Sequence, residues 1–268
     1  ETLASPGPDD PLLPQVRAAR LFEQIARQVE TLRGLPAGRE VPLSFVDERG
    51  MAALLRELYQ GRQPAGRILP FELLGLVPVT RTVLSTQPVA AVYAWEQRQL
   101  YLATSASEES STDQALMARA YAQALVDQRF DLAAMDARAT TTDARLAIEA
   151  LEAGDGLLLM ALYSQQDVAS ADWPALTALA QADLPRYSRE VEDAAAWQRV
   201  RDFPYQEGRA FTGALLAAGG WATVDSAYTD PPRSTEQVLH PERYLTQRDA
   251  PAWVTVPDIA SSLGPTWT

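Results

Sequence analysis

The chain has 268 residues, 35 acidic against 23 basic, and a formal net charge of -12. That balance excludes nucleic acid as a main partner and disfavours docking on anionic lipid, since both need a basic surface. There is no Cys, no Lys and no Asn, and a single His. These absences remove disulfides, thiolate and Schiff-base chemistry, a P-loop lysine, N-glycosylation and any multi-histidine metal site within one chain. Loss of Lys and Asn together suits a GC-rich bacterial genome, and loss of Asn and Cys is compatible with a thermophile.

Hydrophobic residues make up 47% and charged ones 22%, the balance of a folded globular protein rather than a disordered one. Residues 1–12 are rich in Pro and Asp and read as a flexible tail, with residues 13–268 forming one unit. Within that unit, 13–88 form a helical and strand part and 89–268 a hairpin followed by helices. The apolar positions Val16, Leu21, Phe22, Ile25, Val29 and Leu32 share one helical face, and Leu35-Pro36-Ala37-Gly38 ends that helix. Val41 to Val46 is a strand candidate, and Asp47 can cap a helix running to about Tyr59. Gly61 to Gly66 reads as a connector and Phe71 to Leu76 as a short helix. Val89, Ala91, Tyr93 and Trp95 alternate before a turn near Glu96-Gln97-Arg98, and Leu100 and Leu102 alternate after it, predicting a β-hairpin.

Helices are predicted from about Thr112 to Val126 and from about Thr142 to Gln165. The second is interrupted near Gly154-Asp155-Gly156, where the glycines suggest close approach of another backbone. Trp173 to Ala182, Glu190 to Arg201, Gln206 to Ala218 and Trp221 to Tyr228 also read as helical, with Gly219-Gly220 as a stop. No run approaches the length of a membrane span.

Five stretches together resemble a group of secreted zinc metallopeptidase-like proteins of the zincin type. They are Val89-Ala90-Ala91-Val92-Tyr93 with Leu100-Tyr101-Leu102; Ala124-Leu125-Val126-Asp127-Gln128-Arg129-Phe130-Asp131-Leu132; Ala150-Leu151-Glu152-Ala153-Gly154-Asp155; Phe203-Pro204-Tyr205-Gln206-Glu207-Gly208; and Pro231 through Tyr244. The resemblance spans roughly Leu69 to Tyr244. It implies a mostly helical α+β fold, a zincin-like metallopeptidase fold with a small sheet that holds the hairpin and the 41–46 strand. It also implies export from the cytoplasm, and more chain beyond Leu263-Gly264.

The resemblance places the family's H-E-x-x-H zinc motif on Arg119-Ala120-Tyr121-Ala122-Gln123, and its third zinc ligand on Ala153. Zinc hydrolysis needs three donor ligands, an open position for water and a carboxylate base. None of Arg119, Ala120, Gln123 and Ala153 can serve, and Arg keeps its proton and repels a cation. The expectation is a pseudoenzyme with no metal and no cofactor. It would act as an extracytoplasmic binding or scaffolding subunit whose partner is another protein chain or a peptide, within an envelope-associated complex. The alternatives are a peptide-binding module using the relic groove beside the hairpin edge, and a hydrolase with a non-standard site or with ligands from a partner chain.

Arg119 either pairs with Glu149, Glu152 or Asp155, replacing the metal's charge, or faces solvent on a rotated helix. Tyr205 and His240 are candidate binding residues, Tyr205 in the old cleft and His240 as a relic of a substrate loop. The bland reading of His240 is a turn residue before Pro241. Asp127 and Asp131 read as caps and ion-pair partners. Glu149, Glu152 and Asp155 are too spread along a helix for calcium. Ser234-Thr235 has no nearby base. The aromatics Trp197, Phe203, Phe211, Trp221 and Tyr228 read as core.

Overall fold

Helix α1 (Leu13–Arg33) forms because Ala18, Leu21, Phe22, Ile25 and Val29 recur at helical spacing and are buried to 6% exposure or less, while the intervening Arg and Glu residues face water. The helix stops at Gly34, whose φ of 71° few other residues accept, and the Gly34 N–H closes the last turn on the Glu30 carbonyl at 3.0 Å. The computed structural model describes residues 13–62, 75, 89–165, 168–184, 194–252 and 254–255. The predicted tail at 1–12, most of the 61–66 connector and all but Gly75 of the 71–76 helix lie outside the described residues.

Strand β1 (Leu43–Val46) leads into α2 (Glu48–Arg62), and the Asp47 carboxylate accepts from the Gly50 N–H at 2.7 Å, the cap the sequence predicts. The hairpin follows as β2 (Ala91–Ala94) and β3 (Gln99–Ala103). Its turn places Arg98 at φ 52°. The sheet order is β1-β3-β2, with β1 parallel and β2 antiparallel to β3. Tyr93 sits opposite Leu100 and Ala91 opposite Leu102. All four residues of β2 are buried.

Helix α3 (Ser111–Phe130) packs on the hairpin, with the Ser110 hydroxyl accepting from the Asp113 N–H at its start. It runs four residues past the predicted end. Asp131, at φ 56°, breaks it and also caps a short helix α4 (Leu132–Arg138) that periodicity did not reveal. Helix α5 (Thr142–Tyr163) is continuous through Gly154 and Gly156, which corrects the predicted interruption. Its buried residues line every side from Ala147 to Ala161, as expected of a helix enclosed within a fold.

Helix α6 (Trp173–Ala180) is followed by α7 (Ala195–Gly219), α8 (Trp221–Thr229), α9 (Thr235–Leu239) and α10 (Pro241–Thr246). The sequence predicts two helices where α7 is one. Pro204 removes a backbone donor inside it, at a cost of about 3 kcal/mol. Burial of Pro204, Tyr205, Gly208, Phe211, Thr212 and Leu215 on one face offsets that cost and carries the helix through.

Helices α5 and α7 share the most extensive contact between elements. A Cβ built on Gly154 would lie 2.2 Å from the Gly208 carbonyl oxygen, and one on Gly208 would lie 2.0 Å from the Ala150 carbonyl oxygen. The predicted close approach of another backbone is therefore present, and it is made glycine to glycine. One apolar core joins side chains from Leu21 on α1 to Tyr244 on α10. The chain is mostly helical with a small mixed sheet, an α+β architecture. Among the described residues, no helix is long and apolar enough to cross a membrane.

Candidate functional site

Helices α3 and α5 are the two most enclosed helices, and the expected relic positions lie on them. Arg119 and Gln123 are four residues apart and share one face of α3. With Ala120 they line a cavity of about 80 Å³ between α3, the β2 strand and the inner face of α2. Glu152 of α5 and Asp183, just beyond α6, complete its polar wall, while Leu55, Tyr59 and Trp95 supply much of its apolar side. Ala153 is not on that wall. It joins a buried cluster with Ala115, Leu157 and Tyr205, one turn before Gly156, which touches Arg119.

The Arg119 side chain is 11% exposed and lies along α5, where a Cβ on Gly156 would fall 3.3 Å from its Cγ and 3.4 Å from its Nε. Its ion pair is with Asp183, Nη1 to Oδ2 at 3.7 Å, with Asp183 13% exposed. That corrects the expected pairing with Glu149, Glu152 or Asp155, and Arg119 does not face solvent. Burial alone would lower the Arg119 pKa. The Asp183 carboxylate opposes that effect, and the Arg119 pKa stands above the ordinary guanidinium value, so Arg119 remains a cation.

Asp155 is committed elsewhere. It takes a bidentate grip from Arg33, whose Nε lies 3.0 Å from Oδ1 and whose Nη2 lies 3.0 Å from Oδ2. The Tyr228 hydroxyl donates to Asp155 Oδ2 at 2.9 Å. Arg33 is fully buried, pairs with Asp225 at 2.7 Å and sits 4.3 Å from the Trp221 ring centre. This network ties α1, α5 and α8 together, and burial followed by the Asp155 charge pushes the Tyr228 hydroxyl far above its ordinary pKa.

These residues do not fit a zinc ion. The position expected of the first ligand holds a cation, the expected base is a methyl group, and the expected second ligand is the neutral amide of Gln123. The sole imidazole, His240, is absent from the cavity wall. Among the described residues, no three His, Asp or Glu side chains group as a metal-binding set.

His240 caps the end of α9 and the start of α10, half exposed, with Nδ1 3.2 Å from a Glu242 carboxylate oxygen. Tyr205 is buried beneath Arg119 in the apolar cluster. Burial pushes its hydroxyl pKa up; Arg119 opposes the shift, while Asp183 and Glu149 add to it. Asp127 is structural, accepting from the Tyr93 hydroxyl at 2.6 Å and from the Leu132 N–H at 2.9 Å. Asp131 caps α4 through the Ala134 N–H and pairs with Arg98. Thr235 donates to Asp143 at 2.6 Å, tying α9 to the start of α5.

Sequence reasoning missed Asp183 and Arg33. Compared with family models, curated proteins and solved structures, the chain matches none.

Proposed function

We propose that this chain has a zincin-like fold from which the zinc chemistry has been lost, and that it serves as a non-catalytic binding or scaffolding subunit of an extracytoplasmic assembly. One observation carries the reading. Arg119 stands at the expected first-ligand position, enclosed against Gly156 and paired with Asp183, with Ala120 and Gln123 beside it on the same cavity. A guanidinium there supplies positive charge permanently and binds no metal.

The burial of β2 favours scaffolding over a peptide groove, because every residue from Ala91 to Ala94 is at most 7% exposed. A peptide adding to that strand would first have to uncover it. The hydrolase alternative has less support: the cavity wall carries the Glu152 and Asp183 carboxylates, but among the described residues that line it there is no Ser, Thr or His to act with them.

The test is to rebuild the α3 face of the cavity as R119H/A120E/Q123H, leaving Ala153, which is off the wall, unchanged, since Glu152 already places a carboxylate on that wall. If the relic mapping holds, the folded variant takes up one zinc that the parent chain does not. A variant with native circular dichroism and no zinc would overturn the zincin-like reading.

A further inference from the structure

Helix α6 is lightly anchored. It buries only Leu176 and Ala180, whereas α5 is enclosed from Ala147 to Ala161. Those two side chains stand apart from the main core. They join Ala115, Ala153, Leu157 and Tyr205 in a separate buried cluster against α3, α5 and α7. Of α6, only the partly buried Leu179 also packs on the main core. A segment with so few buried apolar contacts opens locally at less cost than the whole fold. Ala153 is the expected third-ligand position, so α6 sits over the place that the relic mapping gives to the lost zinc site.

Polar and ring contacts hold this segment down. Gln181 Nε2 donates to Asp202 at 3.1 Å, Arg209 lies 5.0 Å from the Trp173 ring centre, and Asp183, three residues past the end of α6, faces Arg119. The last contact joins two enclosed charges but is incompletely made. Its 3.7 Å separation exceeds hydrogen-bond reach. Arg119 Nε and Asp183 Oδ1 are each buried without a hydrogen-bond partner among the described residues. Buried groups left so raise the energy of the closed arrangement. Lifting α6 returns the Asp183 carboxylate to water and lets water reach Arg119, which offsets part of the cost of opening.

We propose that α6, with Asp183 after it, is a cover over the relic site, latched by the Arg119–Asp183 pair, and that it lifts while the rest of the fold stays intact. Opening bares the α5 face that carries Ala153 and Leu157 and frees Arg119 from its counter-ion. This deepens the proposed function by making access to that same site conditional, and it rests on that reading only for the identity of the positions covered.

The chain has no Cys, so one introduced thiol reports alone. The experiment places it in the full chain as A180C, under the cover, and as A124C, in the main core on α3; both alanines are 0% exposed. Each variant is labelled with a thiol-reactive aromatic disulfide in native buffer and at low urea. A180C should react at least about tenfold faster than A124C, with a weak urea dependence, because lifting α6 exposes little surface. Adding R119Q leaves the Asp183 charge enclosed without its counter-ion and should speed A180C about tenfold or more. A180C labelled at the rate and urea dependence of A124C, or unmoved by R119Q, would overturn the proposal. If a thiol variant loses its near-ultraviolet circular dichroism, hydrogen exchange of α6 decides, compared between the parent chain and R119Q. Faster exchange in R119Q is expected, and equal exchange would overturn the proposal. Stoichiometric zinc in the parent chain would defeat the proposed function itself. Equal labelling rates in a zinc-free chain would defeat this inference alone.

Discussion

Replacing Gly208 by Ala tests the crossing that holds α5 and α7 together. The added methyl would lie 2.0, 2.7 and 2.9 Å from the oxygen, carbonyl carbon and Cα of Ala150. All three are backbone atoms of a buried helix, so no side chain can swing away and the two helices must separate. Overpacking of this kind costs about 1–3 kcal/mol, and contact with backbone puts it at or above the upper end. Against it stands the better helix propensity of Ala, worth about 1 kcal/mol. The clash wins, and G208A is destabilised by roughly 2 kcal/mol net. Gly213 on the same helix is the control, because a Cβ there meets nothing within 4 Å. G213A keeps the propensity gain without the clash and should be stabilised by about 0.5–1 kcal/mol. Urea unfolding of the three proteins gives both differences directly. G208A as stable as the parent, alongside a stabilised G213A, would refute the glycine-to-glycine crossing.

Removing one partner of the buried Arg33–Asp155 pair, as in D155A, should cost about 3 kcal/mol, the low end of the range for breaking a buried pair because Asp225 still faces Arg33, and an R33M/D155L double variant should recover much of it in a thermal melt. Y93F loses the 2.6 Å bond to Asp127 and should cost about 1.5–3 kcal/mol by chemical denaturation, the range for a hydrogen bond to a charged group. Stability should also fall at alkaline pH. Burial raises the pKa of Tyr93, Tyr121, Tyr205 and Tyr228, and pushes Tyr244 up to about 12. A folded pKa above the unfolded one gives stability that is fully present below about pH 10 and is lost as pH rises through the folded value. The urea midpoint should therefore drop between pH 10 and 12, where the unfolded chain releases these protons while the folded chain keeps them and gains little tyrosinate absorbance from the buried rings; a flat midpoint there would contradict the burial of these hydroxyls.

Legibility in the sequence followed the range of the signal. The hairpin, the Asp47 cap and the helix starting near Thr142 are all written in residues within a few positions of each other, and the structure has them; the first helix, with its stop expected at Leu35–Gly38, ends just before that, at Gly34. The resemblance implies a sheet that holds both the hairpin and the 41–46 strand, but the parallel pairing of β1 with β3 in particular is not written in either segment. Helix α7 was split in two because Pro204 is a local stop signal, while the burial that overrides it is supplied by α5, more than forty residues earlier. Helix α4 was missed because seven residues are too few to show a period.

The site shows the same divide. Arg119, Ala120 and Gln123 fall on one cavity because their i, i+1 and i+4 spacing fixes them on neighbouring faces of one helix. The partner of Arg119 could not be read. Asp183 follows a short helix in a stretch with no motif, and Glu149, Glu152 and Asp155 were closer to the resemblance that drew attention to them. Arg33 was equally hidden, since an Arg in the last turn of a helix ordinarily sits at the surface against the helix dipole. Here it is fully buried between Asp155, Asp225 and Trp221.

The most direct measurement is the zinc content of the full chain, purified without chelator and read by elemental mass spectrometry against protein concentration. An enclosed Arg119 cation, with methyl and amide groups at the expected base and ligand positions, predicts only traces of zinc. One zinc per chain, retained through dialysis, would contradict the account and return the cavity beside β2 to catalysis.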